Sequence, residues 1–138
     1  MDYSVLNMRA LTSFIIIGFI GFTSFVKSEP NMKVVSYICN GNKYDMSGSF
    51  ANSLAYVLEA LQNETPISQG YNYYVTSPYP NDALAYGHAT CSSSLINSDC
   101  AICANYAKSY LITACDRGIG AQIELIDCSM RYEQYPFT

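Results

Sequence analysis

The sequence predicts an α+β domain in which a five-stranded antiparallel sheet carries two helices on one face and three disulfide bonds hold the layers together. Apolar residues recur at helical spacing in residues 49–62 and 99–114. Stretches rich in β-branched and aromatic residues surround these helices, at residues 32–38, 71–77, 83–90, 119–126 and 129–135. The chain also contains six cysteines, an even number that is typical of a disulfide framework in a secreted domain.

The first helix is predicted from a clear apolar face, and the second from alanine-rich sequence with a weaker one. The face of residues 49–62 consists of Phe50, Leu54, Val57, Leu58 and Leu61. Ser47 or Ser49 is expected to cap this helix, and Asn63 with Pro66 to end it. Ser98 or Asp99 is expected to cap the second helix, whose predicted apolar face consists of Ile102, Tyr106, Tyr110 and Leu111.

The last two strands are predicted to form a hairpin with Asp127-Cys128 as its two-residue turn. Alternation along both strands then separates an apolar face, which packs on a helix, from a polar face that is solvated or binds something polar. The expected opposed pairs are Ile123 with Tyr132 and Leu125 with Met130 on the apolar face, and Gln122 with Glu133 and Glu124 with Arg131 on the polar face.

The N-terminus resembles a secretory signal peptide. Residues 10–26 are uncharged, rich in Phe and Ile, and preceded by Arg9. We expect cleavage after Ser28, so that residues 1–28 are the signal peptide and residues 29–138 form one secreted, extracellular domain. The alternative is an uncleaved membrane anchor, but the run is shorter than the roughly 20 apolar residues that span a bilayer, and Gly and Ser interrupt it.

The predicted mature domain is acidic. Without Asp2, Arg9 and Lys27, the 11 acidic and 7 basic residues of the chain become 10 and 5, a net charge of −5. An acidic surface without a basic run argues against nucleic-acid binding and against insertion into anionic membranes.

The sequence shows no arrangement for catalysis or for a cofactor. Cys100 and Cys103 form a C-x-x-C motif, but the thioredoxin-like context that would make it a redox site is missing. A zinc site would need a second Cys/His pair at ligand spacing, and His88 is the only histidine. No nucleophile and base can be assigned around His88. We therefore expect no enzyme activity, no metal and no cofactor.

Several motifs together resemble the ginkbilobin family of secreted, mannose-binding antifungal plant domains, which also occur as paired modules in cysteine-rich receptor-like kinases. The resemblance runs from about residue 33 to residue 137. Its motifs are Cys91-x8-Cys100-x2-Cys103, Ala85-Tyr86-Gly87-x-Ala89-Thr90, Asn97-Ser98-Asp99-Cys100, Ile119-Gly120-Ala121 and Tyr132-Glu133-Gln134.

Six cysteines allow 15 pairings, and spacing alone does not choose among them. The resemblance implies Cys39–Cys115, Cys91–Cys100 and Cys103–Cys128. The first of these bonds would close a loop of about 77 residues, for which chain-entropy arguments allow up to roughly 4 kcal/mol of stabilisation.

The resemblance also implies a sugar site. In this family mannose is held by an Asn, an Arg and a Glu, and the matching positions are Asn40, Gln122 and Glu133, so Gln replaces the family's Arg. Arg131 is expected to supply the missing cation in part, from a position diagonal to Gln122. The alternatives are that Asn40 merely caps a turn and that Glu124 and Arg131 form an ordinary cross-strand ion pair.

Two functions follow as expectations. The first is a secreted, lectin-like antifungal defence protein that binds mannose-type glycans of the fungal cell wall. The second is an extracellular protein-interaction module that has lost sugar binding, which Gln122 would favour.

Overall fold

The structure, a computed structural model, describes residues 28–138; the predicted signal peptide therefore lies outside the described residues except for Ser28. Short 3-10 turns at Thr65–Ile67 and Gln69–Tyr71 follow the first helix. The main elements are β1 (Val34–Cys39), α1 (Ser49–Glu64), β2 (Asn72–Thr76), β3 (Tyr86–Cys91), α2 (Asn97–Ala114), β4 (Ala121–Leu125) and β5 (Cys128–Glu133). None of the helices in this region has the length and apolarity needed to cross a membrane.

The predicted five-stranded antiparallel sheet with two helices is confirmed. Its strand order is β1-β4-β5-β3-β2, and every neighbouring pair is antiparallel. Alternate side chains of β3, β4 and β5 are buried against the helices, while their neighbours face the other side. Among residues 28–138, no helix packs on the opposite face of the sheet, which is called here the outer face.

Helix α1 buries the face that its sequence predicts. Phe50, Leu54, Val57, Leu58 and Leu61 all lie in the core. The predicted caps are wrong, because Gly48 is the N-cap residue and makes no side-chain hydrogen bond. The Ser47 hydroxyl instead donates to the Asp45 carboxylate, and the Ser49 hydroxyl accepts from the backbone N–H of Ala83. The α-helix ends at Glu64, and Pro66 lies in the 3-10 turn that follows.

Helix α2 departs from prediction in both its cap and its buried face. It begins at Asn97 behind the N-cap residue Ile96, so neither Ser98 nor Asp99 caps it. Ile102 and Tyr106 are 50% and 41% exposed, although both belong to the predicted apolar face. The buried face consists of Asp99, Cys100, Cys103, Ala104, Ala107 and Leu111. The bonds from Cys100 and Cys103 to the sheet turn this side of the helix inward, and its small residues permit close packing.

The three disulfides are those that the family resemblance implies. Their Cα–Cα distances are 5.2 Å for Cys39–Cys115, 5.7 Å for Cys91–Cys100 and 6.1 Å for Cys103–Cys128. The first ties the end of β1 to the end of α2, and the other two tie α2 to β3 and β5. Helix α2 is thus bonded covalently to three strands of the sheet.

The register of the last hairpin differs from the prediction by two residues. Ile123 faces Met130 and Gln122 faces Arg131, so the turn is Ile126-Asp127. The cause is that Cys128 belongs to β5, where it pairs with Cys91 of β3. Because the shift is even, every side chain keeps its predicted face and changes only its partner.

Candidate functional site

The four residues predicted to form the site line one shallow cavity on the outer face. The cavity has a volume of about 230 Å³ and lies where the ends of β1, β4 and β5 meet. Its lining consists of Ile38, Asn40, Gly120, Ala121, Gln122, Arg131, Glu133 and Tyr135. The fold therefore brings Asn40, Gln122, Arg131 and Glu133 together, while their role in sugar binding stays a prediction.

Asn40 is held in place by two hydrogen bonds. Its backbone N–H donates to the Gly120 carbonyl at 2.8 Å, and its side-chain Oδ1 accepts from the backbone N–H of Asn42 at 3.0 Å. The second contact is an Asx turn, so the alternative turn-capping role is confirmed. An amide oxygen only accepts, so the NH2 group is the part of Asn40 that can donate to a ligand.

Glu133 supplies the carboxylate of the site and is buried, with 8% of the residue exposed. Its carboxylate lies against the backbone of Gly120, and a Cβ at that position would stand 3.0 Å from Cδ and overlap Oε1. The absent side chain of Gly120 thus creates the space that the carboxylate occupies. One carboxylate oxygen, Oε2, lies 3.7 Å from Nη2 of Arg131.

Arg131 is placed by its neighbours at the centre of the site. Its Nη2 donates to the Tyr135 hydroxyl at 3.2 Å, and its guanidinium lies 4.1 Å from the centroid of the Phe137 ring. The residue faces Gln122 directly, not diagonally as the sequence predicts. The positively charged side chain of Arg131 therefore lies beside Gln122.

The predicted cross-strand pair between Glu124 and Arg131 is wrong. Glu124 faces Ser129 in the observed register. Among residues 28–138, Arg131 forms its ion pair with Glu133 instead. The difference follows from the two-residue shift of the hairpin.

The floor of the site is anchored by a buried tyrosine. Tyr132, on the helix side of β5, donates its hydroxyl to the Gly118 carbonyl at 2.8 Å. Burial raises the pKa of this hydroxyl well above its usual range, with smaller contributions from Tyr44 and Glu133. The phenol therefore remains a hydrogen-bond donor, and it fixes the loop that leads to Gly120.

Sequence reasoning missed the contributions of the C-terminal segment and of β1. Tyr135 and Phe137 fold back onto Arg131, and Ile38 adds an exposed apolar edge to the cavity. The sequence feature that could have revealed the C-terminal contribution is a pair of aromatic residues within three positions, just after the last strand. Within the described residues, no cluster of three or more His, Cys, Asp or Glu side chains is arranged to hold a metal ion.

Comparison with known proteins gives both a family and a fold. The profile of the salt stress response/antifungal family matches residues 38–135. An antifungal ginkbilobin-like protein of Picea abies is 37% identical over 109 residues, which cover 78% of this chain and 99% of that protein. The antifungal protein ginkbilobin-2 of Ginkgo biloba is 33% identical over 133 residues, 95% of this chain and 98% of that protein.

A solved structure supports the same fold. The tandem DUF26 ectodomain of the cysteine-rich receptor-like protein PDLP8 of Arabidopsis thaliana matches with a TM-score of 0.71 at 20% identity. The match covers 77% of this chain and 50% of that ectodomain, so the chain spans about half of its length. At this identity the likeness concerns the fold. The family profile and the two relatives above show that the chain belongs to the salt stress response/antifungal family, the ginkbilobin-like family that its cysteine and flanking motifs indicate.

Proposed function

We propose that this protein is a secreted antifungal defence protein whose outer-face cavity binds mannose-type glycans of the fungal cell wall. One observation carries the proposal: Asn40, Gln122, Arg131 and Glu133 line the same cavity although they come from three separate parts of the chain. The antifungal names of the Picea abies and Ginkgo biloba relatives support the defence role.

The chemistry of the cavity suits a sugar. A carboxylate such as that of Glu133 accepts hydrogen bonds from two neighbouring hydroxyls, and the amide NH2 group of Asn40 donates to a third. Gln122 adds one donor and one acceptor, and Arg131 adds charged donors. Such a mixture matches sugar hydroxyls, because each of them both donates and accepts.

Arg131 offsets part of the loss caused by Gln122. Hydrogen bonds to charged groups contribute roughly 1.5–3 kcal/mol, against about 0.5–1.5 kcal/mol for neutral ones, so replacing Arg by Gln costs about 1 kcal/mol. With Nη2 of Arg131 3.7 Å from Oε2 of Glu133, a cation is retained in the site. Arg131 would then fill the electrostatic role, with Gln122 providing a neutral contact.

The covalent structure supports an extracellular location. All six cysteines are paired within the described residues, and three structural disulfides in a small domain are typical of secreted proteins. They would hold the cavity in shape outside the cell.

A glycan array probed with protein secreted from the full-length chain tests the proposal. We expect binding to mannose-type glycans, and we expect Glu133→Ala to abolish it. Glu59→Ala is the matched control, because Glu59 is an exposed carboxylate on α1, on the other side of the sheet. Inhibition of fungal growth by the wild type and not by Glu133→Ala would link binding to defence.

The alternative function is an extracellular protein-interaction module without sugar affinity. Gln122 at the position of the family's Arg favours it, as does the likeness to half of a receptor-like ectodomain. Binding to none of the glycans on the array would contradict the lectin proposal and support this module.

A further inference from the structure

We propose that the outer face carries a binding groove for a linear, uncharged oligosaccharide, which begins at the Glu133 cavity and continues across the sheet past His88 to Tyr74. This inference rests on the proposed sugar-binding function and extends it from one sugar to a chain. A second cavity, its position in the sheet and the chemistry of its side chains support it.

The second cavity adjoins the first. It has a volume of about 280 Å³, and both cavities are lined by Gln122 and Arg131. Its lining consists of Ser36, His88, Gln122, Ile123, Glu124, Ser129, Met130 and Arg131. Each cavity alone is smaller than the roughly 300–1,000 Å³ of a typical ligand pocket, and the two joined fall within that range.

One row of cross-strand pairs on the outer face passes between the two cavities, through Gln122 and Arg131, which line both. Ile38 faces Gln122, Gln122 faces Arg131, Arg131 faces His88, and His88 faces Tyr74. This row crosses all five strands, and four strand spacings make it about 19 Å long. The row is longer than a single sugar ring and runs perpendicular to the strands.

The far part of the row contains a fixed pair of rings. The rings of His88 and Tyr74 stack with centroids 3.8 Å apart and planes 12° from parallel. Nε2 of His88 lies 2.5 Å from Oδ1 of Asn72. Because a carbonyl oxygen only accepts, Nε2 carries the proton, and Nδ1 is left with a lone pair for a sugar hydroxyl. Burial lowers the pKa of His88, and Arg131 lowers it further, which keeps the ring neutral.

Tyr74 offers a surface for the less polar side of a sugar ring. It is 48% exposed, while His88 covers one face of its ring. Aromatic side chains that are apolar on the ring and polar at the hydroxyl suit such wet binding surfaces. The hydroxyls of Ser36 and Ser129 line the second cavity and offer further polar contacts there.

The charges favour an uncharged chain. Glu124 and Glu133 line the groove together with Arg131, so two carboxylates face one cation. An anionic polymer would meet net repulsion there. A neutral chain would meet donors and acceptors throughout, as in the glycans proposed above.

Calorimetric titration with mannose and with a series of linear mannose oligosaccharides tests the inference. For the wild type we expect affinity to rise with chain length and then level off once the groove is filled. His88→Ala and Tyr74→Ala should each weaken oligosaccharide binding about three- to tenfold, the value of one neutral hydrogen bond, with mannose affinity unchanged. Tyr56→Ala is the control, because Tyr56 is a similarly exposed tyrosine (41%) on α1, on the other side of the sheet.

A second measurement avoids dependence on the folding of the variants. In NMR titrations of the wild type, a mannose oligosaccharide should shift the resonances of His88 and Tyr74, and mannose alone should shift those around Glu133. Mannose binding without any gain from chain length would overturn the groove and leave the proposed function intact. Absence of binding to mannose and to every oligosaccharide would overturn both.

Discussion

Gly120 and Glu133 share a single small space on the outer face of the sheet. The Glu133 carboxylate lies against the glycine where any other residue would place its Cβ, 3.0 Å from the carboxylate carbon. The glycine is needed here because of this contact, since its backbone is not in the left-handed region. The position of the proposed sugar acceptor thus depends on a missing side chain.

Gly120→Ala is expected to displace the Glu133 carboxylate and to weaken mannose binding at least tenfold, with the fold retained. The acceptor would leave its position relative to Asn40, and a lost charged hydrogen bond is worth about 1.5–3 kcal/mol. Gly41→Ala is the control, because a Cβ at that neighbouring loop position meets no atom within 4 Å. Isothermal calorimetry measures the effect, and equal affinities for the two variants would contradict this account of Gly120.

Arg131→Ala is expected to weaken mannose binding by about tenfold, more than Arg117→Ala. Arg131 lies 3.7 Å from Glu133 and lines the cavity, whereas Arg117 lies in the loop after α2 and does not line it. Removing Arg131 deletes the charged donor that stands beside Gln122. Calorimetric titration of both variants with mannose is the measurement, and equal losses would exclude Arg131 as the replacement cation.

The helices show which parts of the fold local sequence determines. The face of α1 follows from apolar spacing alone, because every residue of its predicted apolar face, from Phe50 to Leu61, is buried. Helix α2 could not be predicted in this way. Cys100 and Cys103 fix its orientation through bonds to residues outside the helix, which leaves Ile102 exposed.

The site also has a part that local sequence predicts and a part that it does not. Alternation along the last hairpin places Gln122, Arg131 and Glu133 on the polar face in both the predicted and the observed register, because the two registers differ by an even number of residues. The cross-strand partners on that face could be predicted only from the position of the turn. That position is set by the pairing of Cys128 with Cys91, which lies on a strand far away in the sequence. The family resemblance was needed to add Asn40, which lies before the first helix.

Gly87→Ala is expected to destabilise the protein by about 1–3 kcal/mol, the usual cost of overpacking a core. Gly87 lies on β3 beneath α1, where a Cβ would overlap Cγ1 of Val57 and stand 2.9 Å from Cδ1 of Leu61. Both neighbours are fully buried in the core. Urea unfolding of the oxidised protein measures the change, and an unaltered midpoint would show that α1 moves freely over the sheet.

Ser53→Ala is expected to stabilise the protein by about 1 kcal/mol, the scale of leaving a buried hydroxyl unpaired. The Ser53 hydroxyl is buried in α1 and has no hydrogen-bond partner among the described residues. Alanine removes this group and is also the better helix former. Ser49→Ala is the contrasting variant, because its hydroxyl accepts from Ala83. A stability gain for Ser49→Ala that matched that of Ser53→Ala in urea unfolding would refute this explanation.

His88 is expected to make the stability of the protein depend on pH. Burial lowers its pKa in the folded state, and Arg131, which faces it from β5, lowers it further. Tyr74 faces it from β2, and Glu124 of β4 lines the same cavity. Below the unfolded pKa of about 6.5, the unfolded chain therefore binds more protons than the folded one, and acidification favours unfolding.

The loss of stability should begin as the pH falls through about 6.5 and stop once the pH is below the folded pKa, where both states are protonated. His88→Gln, which keeps a polar side chain but does not titrate, should remove this part of the pH dependence. No other histidine is present, so the carboxylates that titrate at lower pH are the main remaining contribution. Urea midpoints of the two proteins measured between about pH 7.5 and 5 give the comparison. Parallel curves would mean that His88 is as easily protonated in the folded sheet as in the unfolded chain.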